Sequence, residues 1–176
     1  MNKQEKYNKC YLDMAEVVSR LSYGERAKVG CIIVSKDGQI ISHGWNGMPT
    51  GFDNRCETAE CLCTWRHGCQ YKAEKIENPD IEFCIKTADG QPCDKLKLIT
   101  KPEVLHAESN AIAKCAKFGN ASTKDASLYV TMSPCLECSK LIIQSGISKV
   151  FYKEKYRNTE GIDLLEKVGI KVMQID

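Results

Sequence analysis

An excess of charge of either sign is missing from this sequence. Its 25 lysines and arginines stand against 23 aspartates and glutamates, a formal net charge of +2. That balance argues against life on long nucleic acid or an anionic membrane, where basic excess supplies the affinity. Long apolar runs are missing too, and no stretch approaches the length needed to cross a bilayer. The polar start Met1-Asn2-Lys3-Gln4-Glu5-Lys6 lacks the apolar stretch of a secretory signal. The expectation is therefore a cytoplasmic protein with small ligands or proteins as partners. Internal repeats and low-complexity tracts are also absent. What is left, 176 residues of which 43% are hydrophobic and 27% charged, suits one compact domain that buries its own core.

The abundant residue is cysteine, eleven in all. An odd number cannot pair completely, and without secretory features disulfides are the weaker explanation. Cys10, Cys31 and Cys115 are scattered, a cluster runs from Cys56 to Cys93, and Cys135 and Cys138 form a tight pair. In a reducing compartment such clusters read as metal ligands.

Periodicity sets the expected elements. Tyr7, Cys10, Tyr11, Met14, Val17, Val18 and Leu21 fall three or four apart, predicting an amphipathic helix over 3–21 that lies on the core. Runs 29–34 and 39–45 flank Ser35-Lys36-Asp37-Gly38 and read as a hairpin, with the Asp-Gly step at positive φ. From 46 to 103 four of the five prolines and six cysteines gather without a long apolar period. This predicts an irregular, cysteine-rich insertion at about 52–104 within a single domain 1–176, held by metal in place of a core. Regular pattern then returns as a helix from His106 to Phe118, a strand over 127–132, a helix over 135–145, a strand over 149–152, a helix over 159–168 and a strand over 170–175. The order predicts a three-layer α/β/α domain whose five-stranded mixed sheet combines an antiparallel hairpin with three parallel strands.

Two motifs carry the chemistry, His106-Ala107-Glu108 and Pro134-Cys135-Leu136-Glu137-Cys138, each opening a helix after a loop. Helix starts converge at the carboxyl edge of an open α/β sheet, so His106, Cys135 and Cys138 are expected to meet there. One imidazole and two thiolates suit zinc, and three protein ligands leave a coordination position for water, as in catalytic sites. The helix dipole favours the thiolates, and Pro134 opens its helix without losing a needed hydrogen bond. Glu108 is then a carboxylate outside the ligand set, placed to take and deliver a proton. Alone, the Cys-x-x-Cys is equally a structural half-site or a redox pair; the ordered combination with His-x-Glu matches the zinc-deaminase signature.

On these motifs, together with Lys28-Val29-Gly30-Cys31-Ile32-Ile33, Gly44-Trp45-Asn46-Gly47-Met48-Pro49-Thr50-Gly51-Phe52, the continuation Ser109-Asn110-Ala111-Ile112 and the run 128–135, the sequence resembles the cytidine and deoxycytidylate deaminase superfamily. It is most similar to the dCMP deaminases, including phage-type members. The resemblance implies hydrolysis of dCMP to dUMP and ammonia, supplying precursor for thymidylate, with Glu108 protonating N3 and helping to expel the exocyclic nitrogen. It also implies that Asn46 contacts the sugar, a turn role being the alternative for an Asn-Gly step. For the phosphate, Arg26, Lys28, Tyr156 and Arg157 are candidates, Arg26 and Tyr156 the preferred pair. Asn110 orients a neighbouring loop or ligand, or caps local backbone. The resemblance further implies a homohexamer activated by dCTP and inhibited by dTTP, with the effector site near Gly44–Gly51 and the first helix.

In the insertion, Cys56 and Cys61 stand at a spacing similar to structural zinc ligands of some dCMP deaminases, but Lys101-Pro102-Glu103-Val104 replaces the third ligand expected there. The chosen set is Cys56, Cys61, His67 and Cys69 for a second, structural zinc; buried free thiols are the alternative. Two other readings stay open: a deaminase of another cytosine nucleotide such as dCTP, and a catalytically inactive zinc-held regulatory or assembly protein.

Overall fold

The structure, a computed structural model, describes residues 2–61, 96–119 and 121–175. Helix α1 (Lys3–Ser19) opens with a capping box: the Asn2 side chain accepts the Glu5 N–H, and the Glu5 carboxylate accepts the Asn2 N–H. Strands β1 (Gly30–Val34) and β2 (Ile40–Trp45) form the expected hairpin. Its turn differs from the expected one. Only Gly38 takes a positive φ, 84°, so a longer loop closed by one left-handed residue replaces the two-residue turn.

A second departure lies in the segment expected to be irregular. Its ends pair as an antiparallel ribbon, β3 (Glu57–Cys61) with β4 (Leu96–Thr100). Non-local backbone pairing supplies order that the sparse apolar pattern of this stretch did not signal.

Beyond the ribbon come α2 (Ala107–Phe118), β5 (Ser127–Met132), α3 (Leu136–Gln144), β6 (Lys149–Glu154), α4 (Glu160–Lys167) and β7 (Lys171–Gln174). The main sheet has five strands in the order β2-β1-β5-β6-β7. β1 runs antiparallel to both of its neighbours, β2 and β5, and β5, β6 and β7 run parallel. The chain thus has the expected α/β/α fold. Alternation along each strand builds two cores. Cys31, Ile33, Leu128, Val130 and Val150 pack with Ala111, Ile142 and Leu165 from α2, α3 and α4. Ile32, Val34, Tyr129 and Phe151 face the other way and pack on Leu12 and Ala15 of α1.

The buried stripe of α1 is Asn8, Leu12 and Ala15, flanked by half-buried Tyr11 and Val18. Of the residues expected to lie on the core, Tyr7, Cys10, Met14, Val17 and Leu21 point to solvent instead. The sequence shows two apolar stripes, and the smaller side chains form the inner one because Ala15 lets the helix sit close over Gly30, where a Cβ would meet the Ala15 carbonyl oxygen at 2.0 Å. Among the described residues, no helix is long and apolar enough to cross a membrane.

Candidate metal centre and cleft

Both motif helices begin on a ligand-type residue. His106 is the N-cap of α2 and Cys135 the N-cap of α3, and neither side chain is spent on a capping hydrogen bond. Cys138 follows in the first turn of α3. The three donors converge: both sulfurs lie 3.4 Å from His106 Nδ1, and all three donor atoms lie within 4.8 Å of one another. The donor set fits zinc. Two thiolates and an imidazole are habitual zinc ligands, and tetrahedral coordination at ordinary bond lengths sets sulfur and nitrogen about 3.6 Å apart.

Electrostatics around the donors follow from burial and proximity. The hydrogen bond from Cys138 and the neighbouring His106 hold the Cys135 thiol well below its ordinary value. The same bond to Cys135, together with burial and the nearby carboxylate, pushes Cys138 up. His106 is raised, first by its hydrogen bond to Cys135. Glu108, 4% exposed, is pushed up to about 7 by burial, against the lowering effects of its own backbone N–H and of His106.

Local packing fixes this arrangement. At Gly44 a Cβ would meet the Ala107 carbonyl oxygen at 2.3 Å, so β2 and the start of α2 approach closer than any side chain allows. Gly47 and Leu105 exchange two backbone hydrogen bonds just before His106. On the cysteine side, the Ser139 hydroxyl donates to the Gly161 carbonyl at 3.0 Å, seating α4 against α3.

A cleft of about 330 Å³ opens beside the donors. His106, Glu108 and Cys135 line one end, and Arg26, Lys155, Tyr156 and Arg157 line its rim. Arg26 and Tyr156, which no spacing argument could bring together, therefore share one cavity. Arg26 donates to the Thr100 hydroxyl at 3.0 Å, and the Arg157 guanidinium stands 5.3 Å from the Tyr156 ring centre. Lys28 is exposed and lies outside the lining. Asn46 lines the cleft, but its Oδ1 accepts the Val29 N–H at 2.8 Å and its Nδ2 donates to the Ala27 carbonyl at 2.9 Å. Asn110 is outside the lining and donates to the Trp45 carbonyl at 2.9 Å, so it holds the loop after β2.

Four polar lining groups escaped the sequence reading: Lys155, Glu57, Thr100 and Ser133. Glu57 is buried and its carboxylate accepts the backbone N–H groups of Glu25 and Arg26. Thr100 reaches the cleft from β4. The buried Ser133 hydroxyl accepts the Tyr156 N–H at 2.8 Å. The alternation Leu96-Lys97-Leu98 was a usable strand signal for β4; Glu57 and Ser133 carried none. Cys56 is buried, with its thiol 3.5 Å from the Asn54 carbonyl, and burial raises it. Cys61 ends β3, its side chain outside the described residues, as are His67 and Cys69 entirely.

Residues 1–154 match the family model of the cytidine and deoxycytidylate deaminase zinc-binding region. The deoxycytidylate deaminase of Enterobacteria phage T4 is 36% identical over 172 residues, covering 93% of this chain and 87% of that protein. The mouse deoxycytidylate deaminase is 34% identical, covering 85% of this chain and 66% of its own length. A crystal structure of the dCMP deaminase from cyanophage S-TIM5, in complex with dCMP and dUMP, superposes with a TM-score of 0.69 at 36% identity, covering 99% of each chain. The donor triad, the adjoining buried carboxylate and these matches agree: the chain belongs to the cytidine and deoxycytidylate deaminase family.

Proposed function

We propose that this protein hydrolyses dCMP to dUMP and ammonia with a zinc ion held by His106, Cys135 and Cys138. The observation that carries the reading is the convergence of these three donors beside buried Glu108 at the end of a nucleotide-sized cleft. Bound zinc supplies a Lewis acid and acidifies water at neutral pH. Glu108 moves the protons: its buried carboxylate takes one from the incoming water and passes it to N3 of the base, then takes the water's second proton from the hydroxyl formed at C4 and passes it to the departing amino nitrogen. Water enters, ammonia leaves, and the carboxylate returns to its starting state.

The remaining cleft residues orient the nucleotide. Arg26, Lys155, Tyr156 and Arg157 give the rim the positive charge and donors a phosphate needs. Asn46 holds the 27–29 backbone in place and keeps one amide hydrogen for the sugar. Relatives of matching length act on deoxycytidylate, and a 36% identical structure binds dCMP and dUMP, which favours this substrate over dCTP.

The reading extends to a cytoplasmic enzyme that supplies dUMP for thymidylate, as a homohexamer activated by dCTP and inhibited by dTTP. It also includes a second zinc on Cys56, Cys61, His67 and Cys69, supported by cysteine spacing and by the need to order the insertion. The direct test is ammonia release from cytidine, CMP, dCMP and dCTP, with and without triphosphates, beside a metal count. Preferential turnover of dCMP supports the reading. Release from dCTP alone would reassign the substrate, and release from none would leave a zinc-held assembly protein. Two zinc ions per chain are expected; one would leave the insertion metal-free.

A further inference from the structure

Helix α1 carries apolar side chains on two faces, and only one of them is used within the chain. The inner face packs on the sheet through Asn8, Leu12 and Ala15. The outer face presents Tyr7, Cys10, Met14, Val17 and Leu21 at successive spacings of three, four, three and four residues. These are the spacings of a coiled-coil seam. All five are exposed, Val17 at 57% and Leu21 at 53%. Leu21 lies just past the helix, but its N–H still bonds the Val18 carbonyl, so it continues the line. A contiguous seam of this kind differs from the scattered single hydrophobics of an ordinary monomer surface.

We infer that this seam is a two-fold interface at which α1 packs antiparallel against α1 of a second copy of the chain. The charges beside the seam select both partner and register. Lys6, Asp13 and Arg20 recur every seven residues along one flank. In the antiparallel pairing that sets Met14 against Val17 of the second copy and Cys10 against its Leu21, Asp13 falls beside Arg20 of the second copy, and the symmetry repeats the contact. Sliding by one heptad would instead oppose Asp13 to its own equivalent and Lys6 to Arg20. The other flank is apolar, with Tyr11 meeting Val18. A parallel pairing would set Asp13 against Val18 and waste the charge.

The inner structure supports such a contact. Tyr7 stacks on Tyr11 at 6.3 Å, Tyr11 meets Tyr129 at a tilt of 49° at 5.1 Å, and Tyr129 stacks on Phe151 at 4.7 Å, a ladder that ties the outer face to the core. Glu16, beyond the charged flank, is engaged by Lys153 of β6 and so is turned toward the sheet. Among the described residues, the helix makes its element contacts with β1, β2, β5 and β6, all on its inner side. A single helix pair buries less than the about 800 Å² per partner of a standard interface. The contact is therefore a reversible dimer on its own and one of several interfaces in any larger assembly.

The test uses the full-length, zinc-loaded protein. Leu21→Cys places a thiol opposite Cys10 of the second copy, and diamide, which accepts the two electrons and two protons, should convert the pair to a disulfide-linked dimer on a non-reducing gel. The same treatment of the Leu21→Cys/Cys10→Ser variant should give no such dimer. By sedimentation equilibrium, Val17→Asp should weaken self-association about tenfold or more, because it sets a charge in the middle of the seam. At concentrations too dilute for the wild type to associate, the two thermal midpoints should match, since the side chain is exposed in the single chain. Asp13→Arg and Arg20→Asp should each weaken association about two- to fivefold, and the double swap should restore it. A wild-type protein that stays monomeric at all concentrations would overturn the proposal. So would an oligomer that Val17→Asp leaves intact and Leu21→Cys fails to cross-link, an outcome that would place the assembly on another surface. None of these results bears on deamination, which ammonia release tests separately.

Discussion

The Ser133 hydroxyl accepts a hydrogen bond from the Tyr156 N–H at 2.8 Å, joining the turn that delivers Cys135 to the loop that carries Tyr156 and Arg157 into the cleft. The Ser133 N–H in turn donates to the Glu154 carbonyl at the end of β6. One buried residue thus links the metal end of the site to its cationic rim. Ser133→Ala is expected to leave the Tyr156 N–H unsatisfied, at a cost of about 1–3 kcal/mol in holding that loop. Steady-state kinetics should show KM for dCMP rising more than kcat falls. An equal fall in both kcat and metal content would instead place the role of Ser133 at the zinc.

Gly44 is where β2 and α2 come closest, and the close approach delivers His106. In Gly44→Ala the added methyl would face the Ala107 carbonyl oxygen at 2.3 Å and the Ala111 nitrogen at 2.6 Å, backbone atoms that cannot rotate away. The expected result is a loss of about 3 kcal/mol or more in denaturant unfolding, with weaker zinc retention as α2 is displaced. Unchanged stability would mean that the strand and helix separate more easily than their packing implies.

Asn46 satisfies two backbone groups at once, the Val29 N–H and the Ala27 carbonyl. Asn46→Asp keeps the acceptor and loses the donor, whereas Asn46→Ala loses both. The alanine variant should therefore be the less stable, by about 1–3 kcal/mol relative to the parent. Both should raise KM for dCMP because the 27–29 wall of the cleft loosens. Equal behaviour of parent and alanine variant in urea unfolding would contradict this.

Alkaline stability should report Tyr129. Its buried phenol donates to Asn8 Oδ1 at 2.8 Å and is pushed up to about 12, chiefly by burial. An unfolded chain releases that proton near 10. The folded state thus holds the proton more tightly, so this stability is fully present below about pH 10 and is lost as pH rises through about 12. Tyr129→Phe should remove that share of the slope in unfolding free energy above pH 10. At neutral pH it should cost only about 1 kcal/mol, since Asn8 Oδ1 still accepts from Gln4.

The sequence made the sheet and the donor triad legible for physical reasons. Period-two alternation in Cys31-Ile32-Ile33-Val34 and in Leu128-Tyr129-Val130 separates two cores, and the residues capping α2 and α3 carry short-range motifs that need no tertiary information. What escaped depends on contacts distant in sequence. The ribbon of β3 and β4 pairs residues about forty apart, such as Glu57 with Thr100, and the short alternation at Leu96-Lys97-Leu98 marks one strand without identifying its partner. Glu57 becomes a wall of the cleft only through that pairing. The two faces of α1 share one helical period, and choosing the inner one required knowing that Gly30 admits Ala15. For Asn110 the sequence left a loop, a ligand or local backbone open, and the bond to the Trp45 carbonyl, 65 residues away, selects the loop.

Glu108→Gln is the most direct test of the central claim, that a buried carboxylate beside the His106, Cys135 and Cys138 donors carries the protons of deamination. The amide keeps the size of the side chain and leaves every donor in place, so zinc content and thermal midpoint should match the parent. Ammonia release from dCMP should fall by about 10²- to 10⁴-fold in kcat. Full turnover by a zinc-loaded Glu108→Gln protein would contradict the account.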